Sequence, residues 1–107
     1  MIRAKDIMTT DIVAVDPEET VEDVMSRMLQ NQISGLPVVD MSGLLVGIIS
    51  EFDLLDLVDD PNTGKNKVYH YMSRDLHTVE EDIPIVEVAE MFRKLPVRRL
   101  PVTRHDN

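Results

Sequence analysis

From Gly35 to Leu57 the chain reads GLPVVDMSGLLVGIISEFDLLDL. Two apolar runs, residues 36–39 and 44–49, flank Asp40-Met41-Ser42-Gly43. Asp, Ser and Gly accept turn dihedrals, and Gly takes a positive φ without strain, so this reads as two strands joined by a tight turn. Neither run alternates with polar residues, which predicts strands buried on both faces. Gly47, in the middle of the second run, marks close approach of another backbone or of a ligand. Ser50-Glu51-Phe52-Asp53 then ends the strand and opens a helix carrying Leu54, Leu55, Leu57 and Val58. A hydroxyl and a carboxylate thus sit where a strand gives way to a helix N-terminus, a place suited to anions.

Working outward, residues 1–8 form a short lead-in and residues 12–15 a brief strand stopped by Asp16-Pro17. Thr20 is an N-cap with Asp23 three residues on. Val21, Val24, Met25, Met28 and Leu29 then mark one apolar face of a helix over residues 21–30. Beyond the hairpin, residues 59–67 (DDPNTGKNK) are polar and rich in helix breakers, and read as a linker.

The chain then repeats itself. Met72-Ser73-Arg74-Asp75 answers Met8-Thr9-Thr10-Asp11, 64 positions on, and the same offset pairs Val15 with Val79, Val21 with Ile85, Val24 with Val88 and Met28 with Phe92. Leu36-Pro37-Val38 recurs as Leu100-Pro101-Val102. An ungapped match of core positions indicates an internal duplication. Repeat 1 is residues 1–58 and repeat 2 residues 68–107, with the linker between them. Each copy reads β-α-β. The first adds β-α, which the second lacks. The second helix is expected over residues 85–94.

Composition limits the functions available. Twenty acidic against eleven basic residues give a net charge of −9, which argues against nucleic acid or an anionic membrane as partner. There is no cysteine, hence no disulfide and no thiolate metal site. No apolar run approaches the ~20 residues that span a bilayer. The opening residues lack a signal-peptide core, so a cytoplasmic protein is expected. His70, His77 and His105 have no metal-ligand spacing. The acidic groups Glu18-Glu19, Asp59-Asp60 and Glu80-Glu81-Asp82 read as solvated. No nucleophile elbow, phosphate loop or catalytic triad is present, so no enzyme activity is expected.

Met8, Thr20-Val21, Leu36-Pro37-Val38-Val39-Asp40, the run from Gly43 to Ser50 and Asp53-Leu54-Leu55 together resemble the CBS domain family, named after cystathionine β-synthase. The resemblance covers nearly the whole chain as a tandem pair. It implies an α+β fold of two β-α-β-β-α repeats packed about a pseudo-twofold axis, the second short of its last strand and helix. It further implies a regulatory module for AMP, ADP, ATP or S-adenosylmethionine that signals to a partner protein and forms a homodimer. By that resemblance Asp53 holds ribose hydroxyls and Ser50 lies near ribose and phosphate, although S-x-x-D is equally a capping-box spacing. Arg98 and Arg99 precede Leu100-Pro101, where related modules often carry a basic residue facing phosphate; the alternative is a solvated pair offsetting nearby acid. In a strand they point to opposite faces, so at most one reaches a given ligand. The two half-sites are unequal, since the first copy has Ser34 and Gly35 there. His77 and Thr78, beside the short strand of the second copy, would help frame an adenine pocket; the equal alternative is that they are ordinary loop residues. The competing reading is a structural dimerisation or docking module with an empty cleft.

Overall fold

The computed structural model describes residues 1–10, 12–55, 59–97 and 99–104. Leu57, Val58, Arg98 and His105, which figure in the sequence reading, lie outside them. The chain is α+β, in two compact units.

Val13–Leu76 form one unit. Its helix α2 (Val21–Asn31) starts where Thr20 and Asp23 complete a reciprocal cap: the Asp23 N–H donates to the Thr20 hydroxyl and the Thr20 N–H to the Asp23 carboxylate. It stops at Gln32, held left-handed at φ 54°. Strands β1 (Gly35–Val39) and β2 (Leu45–Ser50) pair antiparallel across the turn, with Gly43 at φ +89°. Asp40 fixes that turn, its Oδ1 accepting from the Ser42 and Leu44 N–H groups and from the Ser42 hydroxyl. Those bonds favour the ionised form, and the hydroxyl foremost holds this carboxyl below its ordinary pKa. The earlier part (α1, Ala4–Ile7) belongs to the other unit.

Several expectations need correction. The strands are not buried on both faces: Leu36, Val38, Gly47 and Ile49 are buried, while the alternate residues are only half-buried. Each strand thus lays one face on the Val15–Val21–Val24–Val68 core of its unit. The strand expected at residues 12–15 is reduced to one parallel bridge between Val15 and Val38. On α2 the apolar face is wider than the core it covers, so Val21, Val24 and Met28 are buried while Met25 and Leu29 are exposed. Within residues 59–67, whose reading as a linker is left as it stands, a 3₁₀ turn spans Pro61–Lys65 and Thr63 is buried. Gly47 meets a close neighbour as expected: a Cβ there would lie 2.6 Å from Met72 Sδ and 3.0 Å from the Ser73 carbonyl oxygen. Ser73 exchanges two main-chain bonds with Ile48, at 2.8 and 3.0 Å.

Met1–Ile12 and His77–Asn107 form the second unit. It holds α1, the short parallel pair β3 (Val79–Glu80) and β4 (Val102–Thr103), and helix α3 (Ile85–Lys94). Ala4, Val79 and Val88 are its buried centre.

The duplication is visible bond by bond, and each unit docks the lead-in of the other repeat. Ala4 N–H donates to the Ile83 carbonyl at 2.9 Å, and 64 positions on, Val68 N–H donates to the Glu19 carbonyl at 2.8 Å. Lys5 to Glu81 is matched by Tyr69 to Pro17, at 3.0 and 3.2 Å. Each long helix begins with an N–H that has no partner within the helix. Val21 gives its N–H to the Asn66 carbonyl, and Ile85 gives its own to the Ile2 carbonyl. Val15 to Pro37 is matched by Val79 to Pro101.

Candidate functional site

In the unit of Val13–Leu76, the register Gly35↔Ser50 brings Ser50 to the end of β2, where the chain turns into a 3₁₀ helix at Glu51–Leu54. Glu51 N–H donates to the Ser34 carbonyl at 3.0 Å, tying this turn to the start of β1. Asp53 folds back, and its Oδ2 accepts from the Ser50 N–H at 2.8 Å and the Ser50 hydroxyl at 3.1 Å. The capping reading of these two residues is therefore real. It occupies one carboxylate oxygen, while Oδ1 bonds to none of the described residues. A half-buried carboxylate with an oxygen to spare can accept from hydroxyl or amine donors.

In the other unit, His77 and Thr78 lead into β3, and Arg99, Leu100 and Pro101 lead into β4. The pairing Val79↔Val102, with Val79 N–H on the Pro101 carbonyl at 3.0 Å, sets both approaches at the same end of the parallel pair. His77, Leu100 and Pro101 are half-buried there; Thr78 and Arg99 are exposed. Arg98 falls outside the described residues, and among those described no group of acidic or histidine side chains could hold a metal ion. No described helix is long and apolar enough to cross a membrane.

One polar arrangement escaped the sequence reading. Arg27 grips the Glu19 carboxylate with both terminal nitrogens, and its Nη1 also donates to the Ala14 carbonyl at 3.0 Å. Glu19 accepts in addition from the Asp16 N–H at 2.7 Å. This hydrogen-bonded carboxylate holds the Arg27 guanidinium above its ordinary pKa. Glu19 is thus clamped, not part of a solvated charge run, because a bidentate arginine fork offsets its loss of water. The signal lay in the duplication itself. The counterparts of Glu19 and Arg27 are Ile83 and Met91, which pack on the apolar centre of their unit. Charge is replaced on both partners together.

A family model described as "CBS domain" matches residues 4–60 and 68–107. Inosine-5'-monophosphate dehydrogenase of Methanocaldococcus jannaschii is 33% identical over 98% of this chain, which spans only 20% of that protein's length. The crystal structure of CBSX2 in complex with AMP, an Arabidopsis thaliana protein, superimposes with a TM-score of 0.84 at 28% identity, covering 97% of this chain and 83% of that one. The CBS domain pair of protein MJ0100, in complex with 5'-methylthioadenosine and S-adenosyl-L-methionine, gives a TM-score of 0.83 at 26% identity, covering 97% and 82%. With both repeats matched and the fold shared, this chain belongs to the CBS domain family.

Proposed function

We propose that this chain is a regulatory module that binds an adenosine-containing ligand, AMP, ADP, ATP or S-adenosylmethionine, and reports its occupancy to a partner protein in the cytoplasm. No catalytic step is assigned to it. Its repeats are taken as residues 1–58 and 68–107, joined by 59–67. What carries the reading is the spare oxygen of Asp53 at the end of β2, in a chain similar to one solved with AMP and another solved with S-adenosylmethionine. Asp53 accepts from ribose hydroxyls and Ser50 lies toward the phosphate. In the other unit, taken by itself, the proposed ligand residues are Arg98 or Arg99 for phosphate and His77, Thr78, Leu100 and Pro101 for a base.

Isothermal titration with AMP, ATP and S-adenosylmethionine tests ligand binding directly, and no heat with any of them defeats it. Asp53→Ala is expected to weaken binding by roughly ten- to a hundredfold, because a hydrogen bond to a charged group is worth about 1.5–3 kcal/mol and 1.4 kcal/mol is about a factor of ten. The same variant loses the Ser50 cap, at about 1 kcal/mol whether or not ligand is present. Asp53→Asn keeps an acceptor for that cap and separates the two effects. Thermal melts with and without AMP are the readout. An AMP-induced rise of equal size in wild type and Asp53→Ala would remove Asp53 from the site.

A second reading, dimerisation, is favoured by a specific surface. In the unit of Val13–Leu76, a groove of about 320 Å³ is lined by Met25, Met28, Leu29, Ile33, Glu51 and Leu54. Leu29, on its lining, is 76% exposed, an apolar side chain left open to solvent. A second copy is the proposed occupant. Sedimentation is expected to give a dimer at micromolar concentration and a monomer for Leu29→Glu. A wild-type monomer at that concentration would count against the homodimer.

A further inference from the structure

The turn that opens at Ser50, which its sequence marks as suited to anions, is filled in the unit of Val13–Leu76 by the chain's own carboxylate. The Ser50 N–H and hydroxyl both donate to Asp53 Oδ2, at 2.8 and 3.1 Å. The Glu51 N–H donates to the Ser34 carbonyl at 3.0 Å. A phosphate arriving here finds these donors spent and a negative charge already seated at the strand end. The Ser50 hydroxyl has one proton, and that proton is on Asp53, so it meets a phosphate with lone pairs.

No basic side chain offsets that charge. The positions that hold Arg98 and Arg99 in the second repeat hold Ser34 and Gly35 in the first. Residues 13–76 carry twelve acidic and four basic side chains, so this unit holds −8 of the chain's net −9. The four cations are placed on other groups. Arg27 is clamped on Glu19, Lys67 pairs with Glu18 at 4.0 Å, and Arg74 donates to the Tyr69 carbonyl at 3.3 Å. Lys65 closes the Pro61–Lys65 turn. Among the described residues none of the four pairs with Asp53 or with Glu51, the exposed acid next in sequence to Ser50.

We infer that the Asp53 site of this unit selects adenosine ligands whose 5' substituent carries no negative charge, a thioether or a sulfonium, over adenosine phosphates. The inference rests on the proposed role of Asp53 as acceptor of ribose hydroxyls. Its spare oxygen accepts equally from the ribose of either class, so it gives affinity without discrimination. Discrimination comes from the 5' side. A thioether asks for no donor there, a sulfonium is drawn to the carboxylates, and a phosphate is repelled by them. Specificity of this kind is a difference of affinities set by a repulsive contact.

The probes are 5'-methylthioadenosine, S-adenosylmethionine and AMP, each titrated into the full isotope-labelled chain while the Gly35, Ser50 and Glu51 amide signals are followed. Those amides report on this unit's site whatever the other unit binds. Both sulfur ligands are expected to bind about tenfold or more tightly than AMP, the scale of a like-charge contact near a protein surface. The gap is expected to narrow as salt is added, since exposed charges are screened. Glu51→Gln keeps the main-chain bond to Ser34 and is expected to strengthen AMP by about twofold or more, leaving 5'-methylthioadenosine unchanged. AMP binding as tightly as 5'-methylthioadenosine at these amides would overturn the inference and leave Asp53 a ligand residue. A gap unmoved by salt and by Glu51→Gln would overturn it too, because fit and not charge would then set the preference. Silence of all three amides with every probe would overturn the reading of Asp53 itself, and the inference with it.

Discussion

Leu36→Ala is expected to lower unfolding stability by about 2–5 kcal/mol, and Leu100→Ala, at the matching position of the other repeat, by less than half of that. Leu36 is 1% exposed and packed among the buried valines 15, 21, 24, 38 and 68 with Ile49. Truncating it leaves a cavity that a close-packed set of β-branched side chains cannot collapse to fill. Leu100 is half-buried at the margin of the smaller Ala4–Val79–Val88 centre, where water already reaches part of the side chain. Removing it costs transfer energy with little cavity. Urea unfolding read by circular dichroism and by amide exchange measures both losses, and the exchange data show whether the two units unfold together. Equal losses would mean that the second unit's centre is as tightly packed as the first.

Gly47→Ala is expected to cost about 1–3 kcal/mol, and Gly47→Val more, through overpacking at a site with no room for a side chain. The first added carbon would lie 2.6 Å from Met72 Sδ and 2.9 Å from its Cγ, with the Ser73 carbonyl oxygen at 3.0 Å. The thioether can swing away, but Ser73 is held by its paired bonds to Ile48. The discriminating measurement is a double-mutant cycle. In a Met72→Ala background the cost of Gly47→Ala should shrink by about 0.5–3 kcal/mol, the range of coupling between residues in contact. Additive losses would place the conflict on the Ser73 backbone instead.

The clasp of Arg27 on Glu19 and Ala14 shows how two copies of one plan diverge. At equivalent positions one unit uses an ion pair and the other Ile83 and Met91. The adjoining strand approaches diverge as well, with Val13-Ala14 in one copy and His77-Thr78 in the other. The asymmetry in the chain's candidate ligand residues belongs to this wider divergence.

The amino-acid sequence alone determined the duplication, both long helices, the hairpin and the tight approach at Gly47. Each of these is written in local chemistry: a 3.6-residue apolar period, a Thr20–Asp23 cap, an Asp-x-Ser-Gly turn, and a glycine within a β-branched run. The hydrogen bonding of Ser50 to the Asp53 carboxylate was equally legible as a spacing. Tertiary structure alone decided which body each lead-in joins. Residues 2–8 dock on repeat 2 and residues 66–72 on repeat 1, through main-chain groups that every residue carries and that leave no mark in side-chain pattern. It also decided that Glu19 meets Arg27, and that Met25 and Leu29 stay exposed on a helix whose apolar stripe suggested burial. An apolar period tells which residues share a face. How far the core extends across that face depends on what packs there, and that is a long-range fact.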